Sequence, residues 1–266
     1  MKYKNRYLRK TGLQLLLLFS CFSSIAQLNE SDTVRLRFRG SMTGNYQQGN
    51  VELFALRTKA DLVIAPAKGL VFKTQNNSLY QSFYSVRADN DLYSRNYFYY
   101  QPTRTVYPFA IVYASGNYRR KIKSRVFAGA GITTQVLRGK NLVVKVSGSL
   151  VGERSLFRDS SYNNVRYNGS KEISCWRGTL YSGGWYTVPG KKIRVFYDAF
   201  FQPAFSLRNN YRSQADIGLD LPVWRGLSFT MLYSFTHENI VIQKIKKQDK
   251  ILSFGLSYSF SKNKQL

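Results

Sequence analysis

The chain has 266 residues, with 40 Lys and Arg against 14 Asp and Glu, 15% aromatic residues, two Cys and a single His. One His and the one Cys beyond the first 26 residues cannot make a protein-only zinc site, which needs three or four nitrogen and sulfur ligands, and no stretch keeps an apolar 3.6-residue period long enough for a typical helix. Tyr, Phe and Gly distributed along the chain make the composition that of an all-β protein, and the basic excess points to anionic partners.

Residues 1–26 read as a cleaved signal peptide. Lys2, Lys4, Arg6, Arg9 and Lys10 precede an apolar run from Leu13 to Phe22, and Ser23, Ser24 and Ala26 supply the small residues of a cleavage site. The run is shorter than the roughly 20 residues a membrane-spanning helix needs. Leu18, Phe19, Ser20 and Cys21 resemble a lipoprotein box only faintly, because Phe19 fits poorly, so ordinary cleavage after Ala26 is expected. That leaves 35 basic and 14 acidic residues, a net charge of +21, with Cys175 as the remaining cysteine and no intrachain disulfide. Outside the cytoplasm such a charge suits lipopolysaccharide phosphates and small anionic solutes, not nucleic acid. Residues 27–266 read as one domain, with strands over about 33–260.

The first strand, 34–46, alternates Arg35, Arg37 and Arg39 with Val34, Leu36 and Phe38. Side chains along a strand point to opposite faces, so three arginines share one face. That is costly in a sandwich core and ordinary in a watery lumen. Residues 51–64 return with Phe54, Leu56, Ala60, Leu62 and Ile64 on one face and Arg57, Lys59 and Asp61 on the other. A turn at Pro66 and Gly69 leads to a third strand from Leu70, and a fourth ends near Gln101, with the polar stretch 75–91 hiding the boundary between them. Further strands are expected over 106–117, 124–137, 142–153, 173–186, 193–205, 211–221 and 227–236, with a long exposed loop at 157–171. Pro108 and Pro203 fall inside strands and mark bulges or strand ends.

The closing strand, 249–260, sets Leu252, Phe254, Leu256, Tyr258 and Phe260 against Ile251, Ser253, Gly255, Ser257 and Ser259. Its period alone fits a soluble secreted β-sandwich as well as a membrane barrel. The arginine-faced first strand and the turns decide for the barrel. Connections near Pro66, Pro102, Gly139, Pro189 and Pro222 are short and alternate with connections that are often longer, notably 157–171 and 238–248. The expected fold is therefore a transmembrane antiparallel up-and-down β-barrel of about 12 strands in the outer membrane of a Gram-negative bacterium. Leu256, Tyr258 and Phe260 are the candidate signal for the barrel-assembly machinery, and removal of the residues after Phe260 is expected to preserve insertion.

The runs SRVFAGAGI and LVVKVSGSLVGE, the strand LSFTMLYSF and the closing QDKILSFGLSYSF resemble the family of salt-induced outer-membrane proteins, domain of unknown function 481. The resemblance covers most of the chain after the leader. It implies an outer-membrane barrel and supplies no catalytic residue or cofactor to carry over.

Catalysis is not expected from the residues either. His237 lies beside Glu238 near the end of a strand, a place where an isolated His is ordinarily a polar rim residue, and it is followed by Glu238, Asn239 and Ile240 where a hydrolase site would want a closely spaced Ser. Asp89 and Asp91 read as solvated loop carboxylates, and Gly129 and Gly131 sit in a strand with no helix after them to bind phosphate. The remaining signal is the basic face formed by Arg35, Arg37, Arg39, Arg57, Lys59, Arg125 and Lys145, which Glu52 and Asp61 are too few to neutralise. The sequence thus supports a narrow pore favouring anionic solutes. The alternative is a non-conducting envelope barrel binding lipopolysaccharide, with its lumen filled by long side chains.

Overall fold

The computed structural model describes residues 34–263 except 50–51, 191–192 and 207–208. The expected leader, with Cys21 and Ala26, and residues 264–266 lie outside the described residues. Twelve strands follow one another: β1 Val34–Gln47, β2 Leu53–Ala67, β3 Leu70–Phe83, β4 Val86–Tyr100, β5 Val106–Asn117, β6 Ile122–Arg138, β7 Leu142–Phe157, β8 Glu172–Thr187, β9 Arg194–Pro203, β10 Tyr211–Trp224, β11 Leu227–Glu238 and β12 Gln248–Asn263. Each pairs antiparallel with its sequence neighbour, and β1 pairs with β12, so the sheet closes into a barrel. Closure leaves no sheet edge, the condition for strands to cross a bilayer.

The barrel is apolar outside and polar inside. Phe38, Met42, Leu92, Val112, Ile132, Leu150, Leu180, Ile217, Leu252 and Phe254 are exposed, whereas Arg37, Arg39, Arg57, Lys73, Arg125, Lys145 and Asp220 are buried. A soluble barrel would show the reverse, and this distribution removes the sandwich alternative. Arg or Lys on the lipid face at mid-membrane costs about 2–4 kcal/mol each. A one-residue slip of β1 would turn both Arg37 and Arg39 outward, so the strand register is strongly specified. Outward aromatics pair near the two ends, Phe54 with Tyr80 and Phe72 with Phe98, in the manner of interfacial girdles.

The turns after β2, β4, β6, β8 and β10 lie on the side of the barrel where β1 begins and β12 ends. Gly69 and Gly226 have φ of +78° and +83°, a region where an L side chain is strained, and they make the β2–β3 and β10–β11 turns. In outer-membrane barrels this side is periplasmic. Pro203 ends β9, and Pro108 lies near the start of β5, outside its ladder with β4.

The boundary hidden in 75–91 is a two-residue turn, Tyr84–Ser85, with positive φ at both residues. It was hidden because Thr74, Asn76 and Ser78 of β3 share the outward face of that strand, so both faces read polar. The Asn76 amide donates to Thr74 Oγ1 at 3.1 Å, and the Asn96 amide to Ser94 Oγ at 3.1 Å, which satisfies these groups locally.

Two outer loops are more ordered than the sequence suggests. Residues 158–171 and 239–247 join through a bridge between Tyr162 and Ile242, each 1% exposed, and pack with Phe157, Ile173 and Ile240. Val165 at the tip is the one large hydrophobic side chain exposed among the described residues of these loops. Lys121 and backbone N–H groups of Ser160 and Ser161 donate to Asp159 and hold its carboxyl down at about 2, whereas burial pushes the Tyr162 hydroxyl up to about 12.

The closing strand does not stop at Phe260. Ser261, Lys262 and Asn263 continue the ladder opposite Arg37, Leu36 and Val34. Truncation after Phe260 removes those pairs and is therefore expected to weaken closure, contrary to the expectation from sequence. Phe260 itself faces outward opposite Phe38. Phe260→Ala is expected to lower the fraction of heat-modifiable barrel recovered from outer membranes, and a wild-type fraction would refute its role in assembly.

Candidate functional site

Basic side chains of β1 and β2 reach inside the lumen to acids on β10, three and four strands away around the ring. Arg39 donates two hydrogen bonds to the Asp220 carboxylate, at 2.8 and 3.0 Å, with its guanidinium 4.9 Å from the Phe196 ring centre. Lys59 meets Asp216 at 3.0 Å, and Arg57 donates to Ser234 Oγ at 2.8 Å. Arg37 and Lys145 are buried on the inner wall. Arg35 is exposed at the beginning of β1. The counter-charges thus stand on β10, not beside the cations on β1 and β2 as Glu52 and Asp61 do in the sequence.

A denser network fills the outer part of the lumen. Glu153 of β7 receives Arg212 at 2.6 Å, Arg177 at 3.0 Å and the Ser155 hydroxyl at 2.9 Å, with Arg125 at 3.6 Å. Arg125 forks onto both Glu238 oxygens at 2.7 and 3.0 Å. Arg120 donates to Asp249, and Arg119 reaches Asp89 and Asp249 at 3.3 Å each. Asp89 is fully buried on β4, and Asp91 lies on the same face, lining the main cavity. The reading of this pair as solvated loop carboxylates is therefore wrong: their basic neighbours come from the β5–β6 turn, some 30 residues later in the chain.

Beneath this network β4, β5 and β6 line the lumen with aromatic rings. Tyr113 stacks on Phe127 at 4.4 Å and on Tyr93 at 6.1 Å, and Tyr97 stacks on Tyr99 at 5.5 Å. These rings border a cavity with about 1720 Å³ of unfilled space, counted to the open solvent. A second cavity of about 810 Å³ adjoins Arg39, Asp61, Phe196 and Asp198. Arg95 of β4 lines both, its guanidinium 5.2 Å from the ring centre of Phe200 on β9 across the lumen. Arg95 was not singled out from sequence, although Tyr93, Arg95, Tyr97 and Tyr99 share one face of a strand.

Along the inner wall Arg37, Arg39, Arg57, Lys59, Lys73, Arg95, Arg125, Lys145, Arg177, Arg194 and Arg212 outnumber Asp61, Asp89, Asp91, Glu153, Asp198, Asp216, Asp220 and Glu238. Low-dielectric walls around a watery space focus the field of such an excess.

His237 and Glu238 point to opposite faces of β11. His237 stacks on Tyr211 with ring centres 5.5 Å apart, while Glu238 turns inward to Arg125. Gly129 and Gly131 lie against β7, where added Cβ atoms would come within 2.7 Å of Val151 Cα and 2.8 Å of Ser149 Cα. Close backbone packing is their role. Leu256, Tyr258 and Phe260 are exposed on the outer face of β12.

Residues 30–260 match the family described as "Protein of unknown function, DUF481". No curated protein matches the chain. Among solved structures, the NanC porin aligns at TM-score 0.51 and 9% identity, over 84% of this chain and 98% of that one. An outer membrane channel from Pseudomonas putida F1 aligns at 0.45 and 12% identity, over 88% of this chain and 100% of that one. The translocator domain of the autotransporter NalP from Neisseria meningitidis aligns at 0.43 and 12% identity, over 96% of each chain. At such identities the likeness to the NanC porin is one of fold.

Proposed function

The chain belongs to the DUF481 family, and on that premise we propose that it is a narrow outer-membrane pore that favours anionic solutes and has no catalytic role. The observation that carries this reading is the excess of cationic over anionic side chains along the inner wall, with Arg95 between the two cavities and in no salt bridge with the described residues. Rings of Arg and Lys make a pore attractive to anions and repel cations. The ion pairs across the lumen cancel part of this field and brace the wall. The uncancelled part sets the preference.

Purified barrel in planar bilayers under a potassium chloride gradient is expected to show a reversal potential of the sign that marks chloride preference. Replacing Arg95 by Gln is expected to move that potential toward zero. Absence of current, or cation preference, would overturn the pore.

One observation favours the second reading, a non-conducting barrel that binds lipopolysaccharide. The outer loops present exposed Arg158, Arg166, Lys171, Lys244, Lys246 and Lys247 around an apolar cluster that joins residues 158–171 to 239–247. Phosphates of lipopolysaccharide are suited to such a rim. This reading predicts no current, together with lipopolysaccharide binding that falls when the loop lysines are replaced by glutamine.

A further inference from the structure

Arg95 is 8% exposed and meets three aromatic rings: Phe200 at 5.2 Å, Tyr93 at 5.5 Å and Tyr113 at 5.8 Å. Among the described residues it has no hydrogen-bond acceptor. Its nitrogens are not sealed in, because the side chain borders both cavities. Aromatic faces compensate a guanidinium in part, but they accept none of its five N–H groups. Elsewhere in this lumen the arginines of the outer network bond carboxylates directly, whereas Asp198, which lines the second cavity with Arg95, accepts from the Tyr181 hydroxyl, so a direct acceptor at Arg95 is the missing element.

Three further side chains face the same cavity without a side-chain hydrogen bond to other described residues: Gln75 of β3, Gln214 of β10 and Thr236 of β11. The rings of β4–β6 stand on one side of that space, and Gln214 and Thr236 stand on strands across it. A ligand that satisfies all of these groups carries an anion at one end, an apolar face for the rings and hydroxyls at its edge. A pyranose ring meets the last two demands, with its C–H face on an aromatic ring and its hydroxyls toward amides.

The anion is a carboxylate. Nearby Lys59 meets Asp216, and a planar carboxylate matches the planar Arg95 fork with two parallel hydrogen bonds.

We infer that the lumen holds a binding site for a carboxylated sugar ring, with Arg95 receiving the carboxylate and the aromatic wall around Tyr93 and Tyr113 receiving the ring. This deepens the pore reading, in that the site lies on the path such a solute would follow.

Calorimetry on the detergent-folded, full-length barrel tests the site without requiring conduction. D-glucuronate is expected to bind at least about tenfold more tightly than D-glucose, acetate or benzoate, since each of these lacks the anion, the ring or the hydroxyls. Arg95→Gln is expected to weaken glucuronate about tenfold or more, and Tyr113→Leu to weaken glucuronate while leaving acetate unchanged. Heat-modifiability on gels establishes that each variant is folded, and the comparison among ligands on the unaltered protein stands even where a variant fails to fold. Glucuronate binding no tighter than glucose or acetate overturns the site, and tighter binding of benzoate overturns the sugar assignment. Glucuronate binding by a barrel that passes no current refutes the pore and leaves the site intact. Anion-selective current without glucuronate binding does the opposite.

Discussion

Gly255→Val is expected to abolish the closed, heat-modifiable form of the barrel. Gly255 is on the inward face of β12, opposite Thr43 of β1, at the seam where the two ends of the sheet meet. A Cβ there would run into the Met42 carbonyl oxygen and lie 2.6 Å from Thr43 Cα and 2.8 Å from Thr43 Cγ2. Two of those atoms are backbone, so relief requires the strands to separate or slip, and a slip turns every side chain to the wrong face. Overpacking against mobile side chains costs about 1–3 kcal/mol, and backbone obstruction at a closure seam lies at or beyond the top of that range. Gly148 of β7 is the control, because an added Cβ there meets nothing within 4 Å. Gly148→Val should fold normally. A Gly255→Val protein that gives the wild-type folded band on unheated gels would show that the seam tolerates expansion.

The second large effect is expected at Glu153. Its carboxylate is 1% exposed and shared by Arg177 and Arg212, with Arg125 at 3.6 Å. Glu153→Gln keeps the shape and removes the charge. Arg125 retains Glu238 and Arg177 retains the Asn210 side-chain oxygen, but Arg212 is left with Gln202 as its hydrogen-bond partner. Removing one partner of a buried ion pair typically costs about 3–5 kcal/mol, because the remaining charge is left in a poorly solvated place. The expected result is a clear fall in the midpoint of urea or thermal unfolding, read by gel mobility. Arg154, the next residue, faces outward and pairs with Glu172 at an exposed site. Arg154→Gln should change the midpoint little, since exposed pairs contribute little. Equal midpoints for Glu153→Gln and wild type would show that the network is solvated enough to dispense with its central acid.

The same odd and even positions that separate Glu153 from Arg154 made most of the fold legible. Arg37 and Arg39 against Leu36 and Phe38, and Ser257 and Ser259 against Leu256 and Phe260, fix which side of each strand faces lipid. Pro66, Gly69, Pro102, Gly139, Pro189 and Pro222 mark the compact turns. The alternation failed where Thr74, Asn76 and Ser78 occupy the outward side of β3, and a turn made by Tyr84 and Ser85 carries no Gly or Asn to announce it. Arg95, just beyond that stretch, was not singled out. The row Tyr93, Arg95, Tyr97 and Tyr99 is the signal that would have shown a cation set among rings.

Strand number, facing and the identity of many inward cations are local properties, written in a period of two and in turn chemistry, and the sequence by itself determined them. Which cations are neutralised was decided by the tertiary structure. Arg39 and Asp220 are 181 residues apart, Arg125 and Glu238 are 113 apart, and Arg119 finds Asp89 only because the β4–β5 hairpin and the following turn bring them together. Closing twelve strands into a ring places distant strands face to face across the lumen, and the ring geometry, not spacing along the chain, sets Arg95 among aromatic rings and outside any salt bridge with the described residues.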